Sequence, residues 1–342
     1  MYRSEVTIDL GALRGNVRRL RNAAAPAELW AVVKADAYGH GAADVARVCL
    51  EEDAAALCVA TAREGASVRA HAPNARIVVM SPLGAGEETL AAEANLELCV
   101  STRELPAAVP VHLKVDTGMG RWGMSVEDAL TVPRERVVGV MSHFATADEC
   151  DQGFAREQLA RFRAVLERFP GVQAHMANSA ATLALPDARL DAVRCGVALY
   201  GLSPFGDDPA KHDLEPVLSW TSAVALTKKL RAGESTGYGR RFVATRETRI
   251  GLVPVGYADG FRRGLSGAKV LVAGTRRPVL GAVSMDSFAV ELGDETEGAP
   301  VALIGGGILA EEHARHLGTI NYEITCGVRA DLVRANRVIV DG

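Results

Sequence analysis

The sequence predicts an α/β protein in two parts, an N-terminal (β/α)8 TIM-type barrel over residues 1–213 and a C-terminal, mostly antiparallel β domain over residues 214–342. Three observations carry this. Eight short apolar runs alternate with helical or turn segments, one lysine closes the first of those runs, and from residue 214 the texture changes to β-branched segments separated by turn signals. With 342 residues and 48% hydrophobic content, the chain can bury one large core or two smaller ones.

Residues 5–9 alternate as a strand, and residues 1–9 are expected to pair with the C-terminal domain. Asp9 is placed to cap a helix through Leu13, Val17 and Leu20. The eight barrel strands are expected at 28–35, 56–60, 76–81, 96–101, 111–116, 137–144, 172–178 and 191–200, with helices between them such as 42–51, 87–94 and 151–169. One connection breaks the pattern. A parallel crossover normally takes a dozen residues or more, whereas STRELPAAVP, from Ser101 to Pro110, contains two prolines, so the fourth helix should shrink to a turn. In the second domain, strands are expected at 218–229, 248–255, 269–273, 279–283, 287–292 and 301–304. The glycine run 305–307 lacks a G-x-G-x-x-G context and reads as a turn.

A net charge of −4 gives no global pull toward nucleic acid or an anionic membrane, and Lys228, Lys229 and Arg231 read as a solvated face. The start, MYRSEVTIDL, carries charges where a signal peptide needs an apolar stretch, and no later run reaches the ~18 apolar residues of a membrane helix. A soluble, cytoplasmic protein is expected, with neither membrane nor nucleic acid as partner. The six cysteines form no C-x-x-C pair, so free thiols are expected rather than zinc or disulfides, and no metal.

The chemistry starts at AVVKADAYGHG, residues 31–41. Lys34 follows the apolar run 29–33, after which the chain turns through Ala37, Gly39 and Gly41. A lysine at a strand's carboxyl end faces the barrel mouth, and a partly desolvated amine there loses its proton more readily and can condense with an aldehyde. A single such lysine is more often a solvated strand end, but the full string resembles the pyridoxal 5'-phosphate (PLP) lysine motif of the alanine racemase family. HLKVDTGMGRWG (112–123), HFATADE (143–149), ANSA (177–180), RCGVALYG (194–201), GYGRRF (237–242), GYADGF (256–261), SMDS (284–287) and TINYEITC (319–326) extend the resemblance over nearly the whole chain, in the family's order and spacing.

The resemblance implies PLP bound through Lys34. A phosphate dianion needs hydroxyls and free backbone N–H groups, and the matching positions are Ser179, Gly196 and Val197, with the hydroxyls of Tyr38 and Tyr322. Arg194 matches the arginine that bonds the pyridine nitrogen. Guanidinium keeps its protons, so the ring becomes a weaker electron sink than one paired with a carboxylate, and a Cα carbanion is reprotonated rather than diverted into transamination. Taken alone, Arg194 would read as a surface ion-pair residue and Tyr38 as a rim aromatic.

Racemisation needs acid/base groups on both faces of Cα. Lys34 is one, and Tyr238, reaching the partner subunit's site, is implied as the other. A phenol with an ordinary pKa near ~10 needs positive neighbours to work as a base, for which His143, with Arg194 beyond it, is implied. Arg121 matches a contact to the cofactor's phenolic oxygen and the substrate carboxylate, and Lys114 a lysine carbamylated in some relatives. Met285, with Asp286 beside it, matches the partner segment whose backbone binds that carboxylate, and Tyr257 lines the entrance. Cys195 stands where a proline is common and Ser284 where cysteine is common, and the loops are trimmed.

The implied protein is a homodimer with composite active sites that interconverts L-alanine and D-alanine and supplies D-alanine for peptidoglycan. Three alternatives stay open. A racemase of serine or of broader range would share the fold. A barrel decarboxylase would pair the pyridine nitrogen with a carboxylate instead of Arg194, and a non-catalytic PLP-binding protein would lack the β domain that carries Tyr238.

Overall fold

The computed structural model describes residues 3–84, 86–330 and 333–341. They form two compact units, Leu13–Phe205 and the chain on either side of it. The change of unit at Phe205 precedes the boundary expected at 213, because the intervening segment is held by the second unit, where Arg315 Nη1 donates to the Gly206 carbonyl at 2.9 Å.

Strand β1 (Ser4–Asp9) alternates buried and half-buried residues, with Val6 and Ile8 inside. Asp9 Oδ1 accepts from Ala12 N at 3.0 Å and so caps the helix Leu10–Ala24. The barrel strands follow as β2 (Glu28–Val32), β3 (Ala56–Val59), β4 (Ile77–Val79), β5 (Glu97–Val100), β6 (Val111–Lys114), β7 (Gly139–Met141), β8 (Gln173–His175) and β9 (Ala192–Cys195). Each is parallel to the next, and β9 pairs back to β2 to close the barrel. These strands are shorter than the apolar runs that predict them. Residues leaving the carboxyl ends, such as Val33, Met176, Ala177 and Leu199, are also buried, so hydrophobicity continues where the ladder stops. Helices Ala42–Glu51, Glu87–Glu93 and Gly153–Leu166 occupy expected crossovers, and residues 101–110 contain no helix, as their prolines require.

The second unit continues with β10 (Leu218–Ala223), β11 (Leu226–Leu230), β12 (Ser235–Thr236), β13 (Phe242–Val243), β14 (Thr248–Val253), β15 (Lys269–Val272), β16 (Thr275–Leu280), β17 (Phe288–Glu291), β18 (Pro300–Ile304) and β19 (Asn336–Val340). Its nine-stranded sheet runs β11-β14-β17-β16-β15-β18-β10-β1-β19, with β1 and β19 parallel and every other pair antiparallel. The expected strand 218–229 is two strands. Val224 N bonds Ala299 O while Ala225 N bonds Leu252 O, so the chain changes partners between adjacent residues. Helices Ala310–Leu317 and Asn321–Cys326 were not expected, although Glu311 and Glu312 in the first turn of the former and Gly318 after its last are ordinary end signals. Trp220, Phe261 and Phe288 fill the core beneath the sheet, the last two stacked with ring centroids 4.5 Å apart. No described helix is long and apolar enough to cross a membrane.

Candidate active site

Lys34 is the second residue after β2, behind the buried Val33, and the backbone that follows is not the simple turn expected from its glycines. Ala35, Asp36, Ala37 and Tyr38 all take left-handed helical dihedrals, with φ of 52, 51, 54 and 56°. Each costs about 1–2 kcal/mol for a residue with a Cβ, so the turn must be over-determined by bonds. Glu64 Oε1 accepts from Ala35 N at 2.8 Å, and Asp36 Oδ1 accepts from Ala42 N at 2.7 Å. The buried His40 ring sets Nδ1 2.9 Å from the Ala37 carbonyl and 3.0 Å from that of Tyr38, so Nδ1 carries a proton and donates. Gly39 and Gly41, at φ 85 and 91°, then release the chain into the helix Ala42–Glu51.

Lys34 opens onto a pocket at the carboxyl ends of the barrel strands. Lys114, Arg121, His143 and Arg194 also line it, and no carboxylate does so among the described residues. Burial, reinforced by Arg194, Arg121 and Lys34, pushes the Lys114 amine down to about 8, and its Nζ donates to the Met80 carbonyl at 2.7 Å. Buried Arg194 is held by both terminal nitrogens. Nη1 donates to His175 Nδ1 at 3.0 Å and to the His175 carbonyl at 2.8 Å, and Nη2 donates to the Ser142 carbonyl at 2.8 Å and to His143 Nδ1 at 3.3 Å. Burial, then the field of Arg194, drives the His143 imidazolium well below its usual range, so His143 is a neutral acceptor here. Lys34, Lys114, Arg121 and Arg194 converge on a pocket that no carboxylate among the described residues lines, which makes a site for an anionic ligand.

A second cluster of predicted residues lies at the ends of β8 and β9. Asn178 Oδ1 caps the helix Ser179–Ala184 through Ala181 N at 2.9 Å. Ser179 Oγ accepts from Gly196 N at 3.1 Å, and buried Val197 begins the 3-10 turn Val197–Tyr200. A Cβ on Gly196 would stand 2.6 Å from Tyr38 Oη, so the phenol of the left-handed turn closes on this backbone only because position 196 has no side chain. Tyr38, Ser179, Gly196 and Val197 are thus assembled from distant parts of the sequence.

The other predicted residues belong to the second unit. Tyr257 N bonds Ser284 O at 3.1 Å and Ala258 N bonds Met285 O at 3.0 Å, which places Tyr257 and Met285 on paired loops. Gly256 permits the approach, since a Cβ there would lie 2.3 Å from the Ser284 and Met285 carbonyl oxygens. The Asp286 carboxylate is taken by Arg334 at 2.8 Å. Tyr238 is 70% exposed, Met285 53% and Tyr257 41%, and Tyr322 is half-buried on the helix Asn321–Cys326.

Met80, Ser81, Trp122 and Met141 also line the Lys34 pocket and were not singled out from the sequence. Met80 and Ser81 leave β4 as Lys34 leaves β2, so the strand-end argument applied to every strand would have found them.

Residues 8–204 match the family described as "Alanine racemase, N-terminal domain", and residues 217–336 match "Alanine racemase, C-terminal domain". An alanine racemase of Streptomyces coelicolor is 42% identical over 375 residues, covering 98% of this chain and 96% of that protein. Among solved structures, the alanine racemase of a D-cycloserine-producing Streptomyces lavendulae superposes with a TM-score of 0.92 at 38% identity, covering 100% of this chain and 98% of that one. The alanine racemase of Bartonella henselae, solved with covalently bound pyridoxal phosphate, gives a TM-score of 0.91 at 28% identity, covering 98% and 99%. The fold, the two matched domains and the full-length relatives together place this chain in the alanine racemase family.

Proposed function

We propose that this chain is a PLP-dependent racemase that interconverts L-alanine and D-alanine as a cytoplasmic homodimer, providing D-alanine for peptidoglycan. The observation that carries the reading is one pocket lined by Lys34 with Arg194, Arg121 and Lys114 and, among the described residues, by no carboxylate. It suits a phosphorylated cofactor and a carboxylate substrate, and the Bartonella henselae relative holds that cofactor covalently. When bound, PLP supplies an aldehyde for the Lys34 amine and an electron sink that acidifies the Cα–H of an amino acid.

The chain's own residues divide the remaining work. Ser179, the backbone N–H groups of Gly196 and Val197, and the hydroxyls of Tyr38 and Tyr322 would hold the phosphate. Arg194 would donate to the ring nitrogen without giving up its proton, because its terminal nitrogens are tied to neutral acceptors and guanidinium does not titrate in an ordinary pH range. That keeps the electron sink weak and favours return of a proton to Cα. Arg121 and the backbone at Met285, in the segment of Asp286, would bind the substrate carboxylate, with Lys114 beside Arg121 and Tyr257 at the entrance. Lys34 would move the Cα proton on one face and Tyr238 of the partner subunit on the other, with Arg194 supplying positive field for the phenolate from behind the neutral His143 ring that it holds. Exposure of Tyr238, Tyr257 and Met285 in the single chain supports their use by a second subunit.

The test mixes purified protein with L-alanine and, separately, L-serine, and follows loss of optical rotation. Rapid loss with alanine is expected. Loss with serine alone would make it a serine racemase, and loss with neither would overturn the reading. Borohydride treatment should fix the cofactor covalently, and a label on any lysine but Lys34 would overturn the assignment.

A further inference from the structure

Behind Arg194, a line of buried polar groups crosses the barrel interior and leaves the pocket. Arg194 Nη1 stands 3.0 Å from His175 Nδ1, His175 Nε2 is 2.9 Å from His112 Nδ1, and His112 Nε2 is 2.7 Å from Glu97 Oε2. Arg76 grips the Glu97 carboxylate from the far side through Nε at 2.8 Å and Nη2 at 2.8 Å. The four relay residues come from strands β5, β6, β8 and β9.

The line has one consistent direction. Arg194 can only donate and an ionised Glu97 can only accept, so the two imidazoles must carry their protons on Nε2. His175 then accepts from Arg194 and donates to His112, which donates to Glu97. Burial drives His175 well below its usual range and lowers His112, so both rings are neutral. Shape fixes the rings as well. Trp30 packs on both, 4.4 Å from the His175 centroid and 5.8 Å from that of His112, and a Cβ on Gly139 would lie 2.0 Å from His112 Nδ1.

We propose that Glu97 is a positioning residue for racemisation, acting on Arg194 through the tautomers of His112 and His175. A proton on His175 Nδ1 would face the Arg194 N–H donor to donor and push the guanidinium off its seat, and the Glu97 oxygen two groups further along prevents it. The consequence for catalysis rests on the reading of Arg194 as partner of the cofactor's ring nitrogen. The tautomers themselves do not.

Replacing Glu97 with leucine removes the acceptor and frees Arg76, whose N–H groups then become the nearest polar partners of His112 Nε2. Both rings should turn over to their Nδ1–H tautomers. Glu97→Gln keeps an oxygen where His112 needs it, and both rings should stay as they are. The readout is the ring 15N chemical shifts in histidine-labelled protein, recorded without added cofactor and assigned by the signals lost in His175→Asn. The wild type and Glu97→Gln should show His175 protonated on Nε2, and Glu97→Leu should show it protonated on Nδ1. With cofactor bound, Glu97→Leu should lose roughly tenfold in kcat with little change in KM for alanine, while Glu97→Gln stays within about twofold of wild type.

Wild-type His175 protonated on Nδ1 overturns the proposal, and this holds even if Glu97→Leu does not fold. So does a Glu97→Leu variant with unchanged tautomers, or with inverted tautomers and undiminished kcat. A Glu97→Gln variant that keeps its tautomers but loses activity would overturn it too, since charge and not tautomer would then be at work. If the wild type turns over no alanine while the shifts behave as expected, the racemase reading fails and the relay stands.

Discussion

The hydroxyl of Tyr200 donates a 2.7 Å hydrogen bond to the carbonyl of Val32, two residues ahead of Lys34. The same ring stacks on His40, with centroids 4.5 Å apart, and His40 in turn holds the Ala37 and Tyr38 carbonyls of the left-handed turn. Tyr200 therefore supports the lysine from both sides, from the end of β2 before it and from the strained turn after it. Tyr200→Phe should cost about 1–3 kcal/mol, the scale of leaving a buried acceptor short of a partner. Urea midpoints would read this, and a loss below about 0.5 kcal/mol would show that the bond contributes nothing at this site.

Gly196→Ala should weaken cofactor binding by about tenfold or more with little loss of global stability. The effect comes from the new Cβ, which would stand 2.6 Å from Tyr38 Oη. Fluorescence titration of apo protein with pyridoxal phosphate measures it. Affinity equal to wild type would remove Tyr38 and Gly196 from the phosphate site.

Tyr238→Phe should abolish racemisation, a fall of roughly 10²–10⁴-fold, while cofactor stays bound. With Lys34 intact, the Cα proton of D-alanine should still exchange with solvent deuterium, and that of L-alanine should not. Mixing inactive Tyr238→Phe with inactive Lys34→Ala subunits should restore part of the activity, since a hybrid dimer has one site with neither defect. Demonstrated hybrids without activity would confine Tyr238 to its own chain.

At Glu97, burial favours the protonated form, but the hydrogen bonds from His112 and Arg76 prevail and hold the carboxyl at about 2, down from 4.5. A carboxyl depressed in the folded state stabilises above its unfolded value, and that stabilisation disappears as pH falls from about 4.5 toward 2. Its full size is of order 3 kcal/mol. Comparing urea midpoints of wild type and Glu97→Gln from pH 7 to pH 3, the wild type should lose its advantage below about 4.5. Curves that stay parallel through that range would show that Glu97 titrates as an ordinary carboxylate.

The sequence by itself determined the eight barrel strands, because eight short runs rich in apolar residues alternate with helical or turn segments. It also determined the missing fourth helix, because Pro106 and Pro110 forbid one in so short a connection. Lys34 was legible for the same kind of reason, a polar residue ending a buried strand. The left-handed turn after it was not legible. Alanine at positive φ is disfavoured locally, and the groups that override this preference, Glu64, His40 and Tyr200, come from elsewhere in the chain. Glu97, His112 and His175 were invisible as a unit for a related reason. Each looks like an isolated polar residue in its own strand, and only barrel closure sets them within hydrogen-bond distance, where burial leaves a single proton arrangement that satisfies them all.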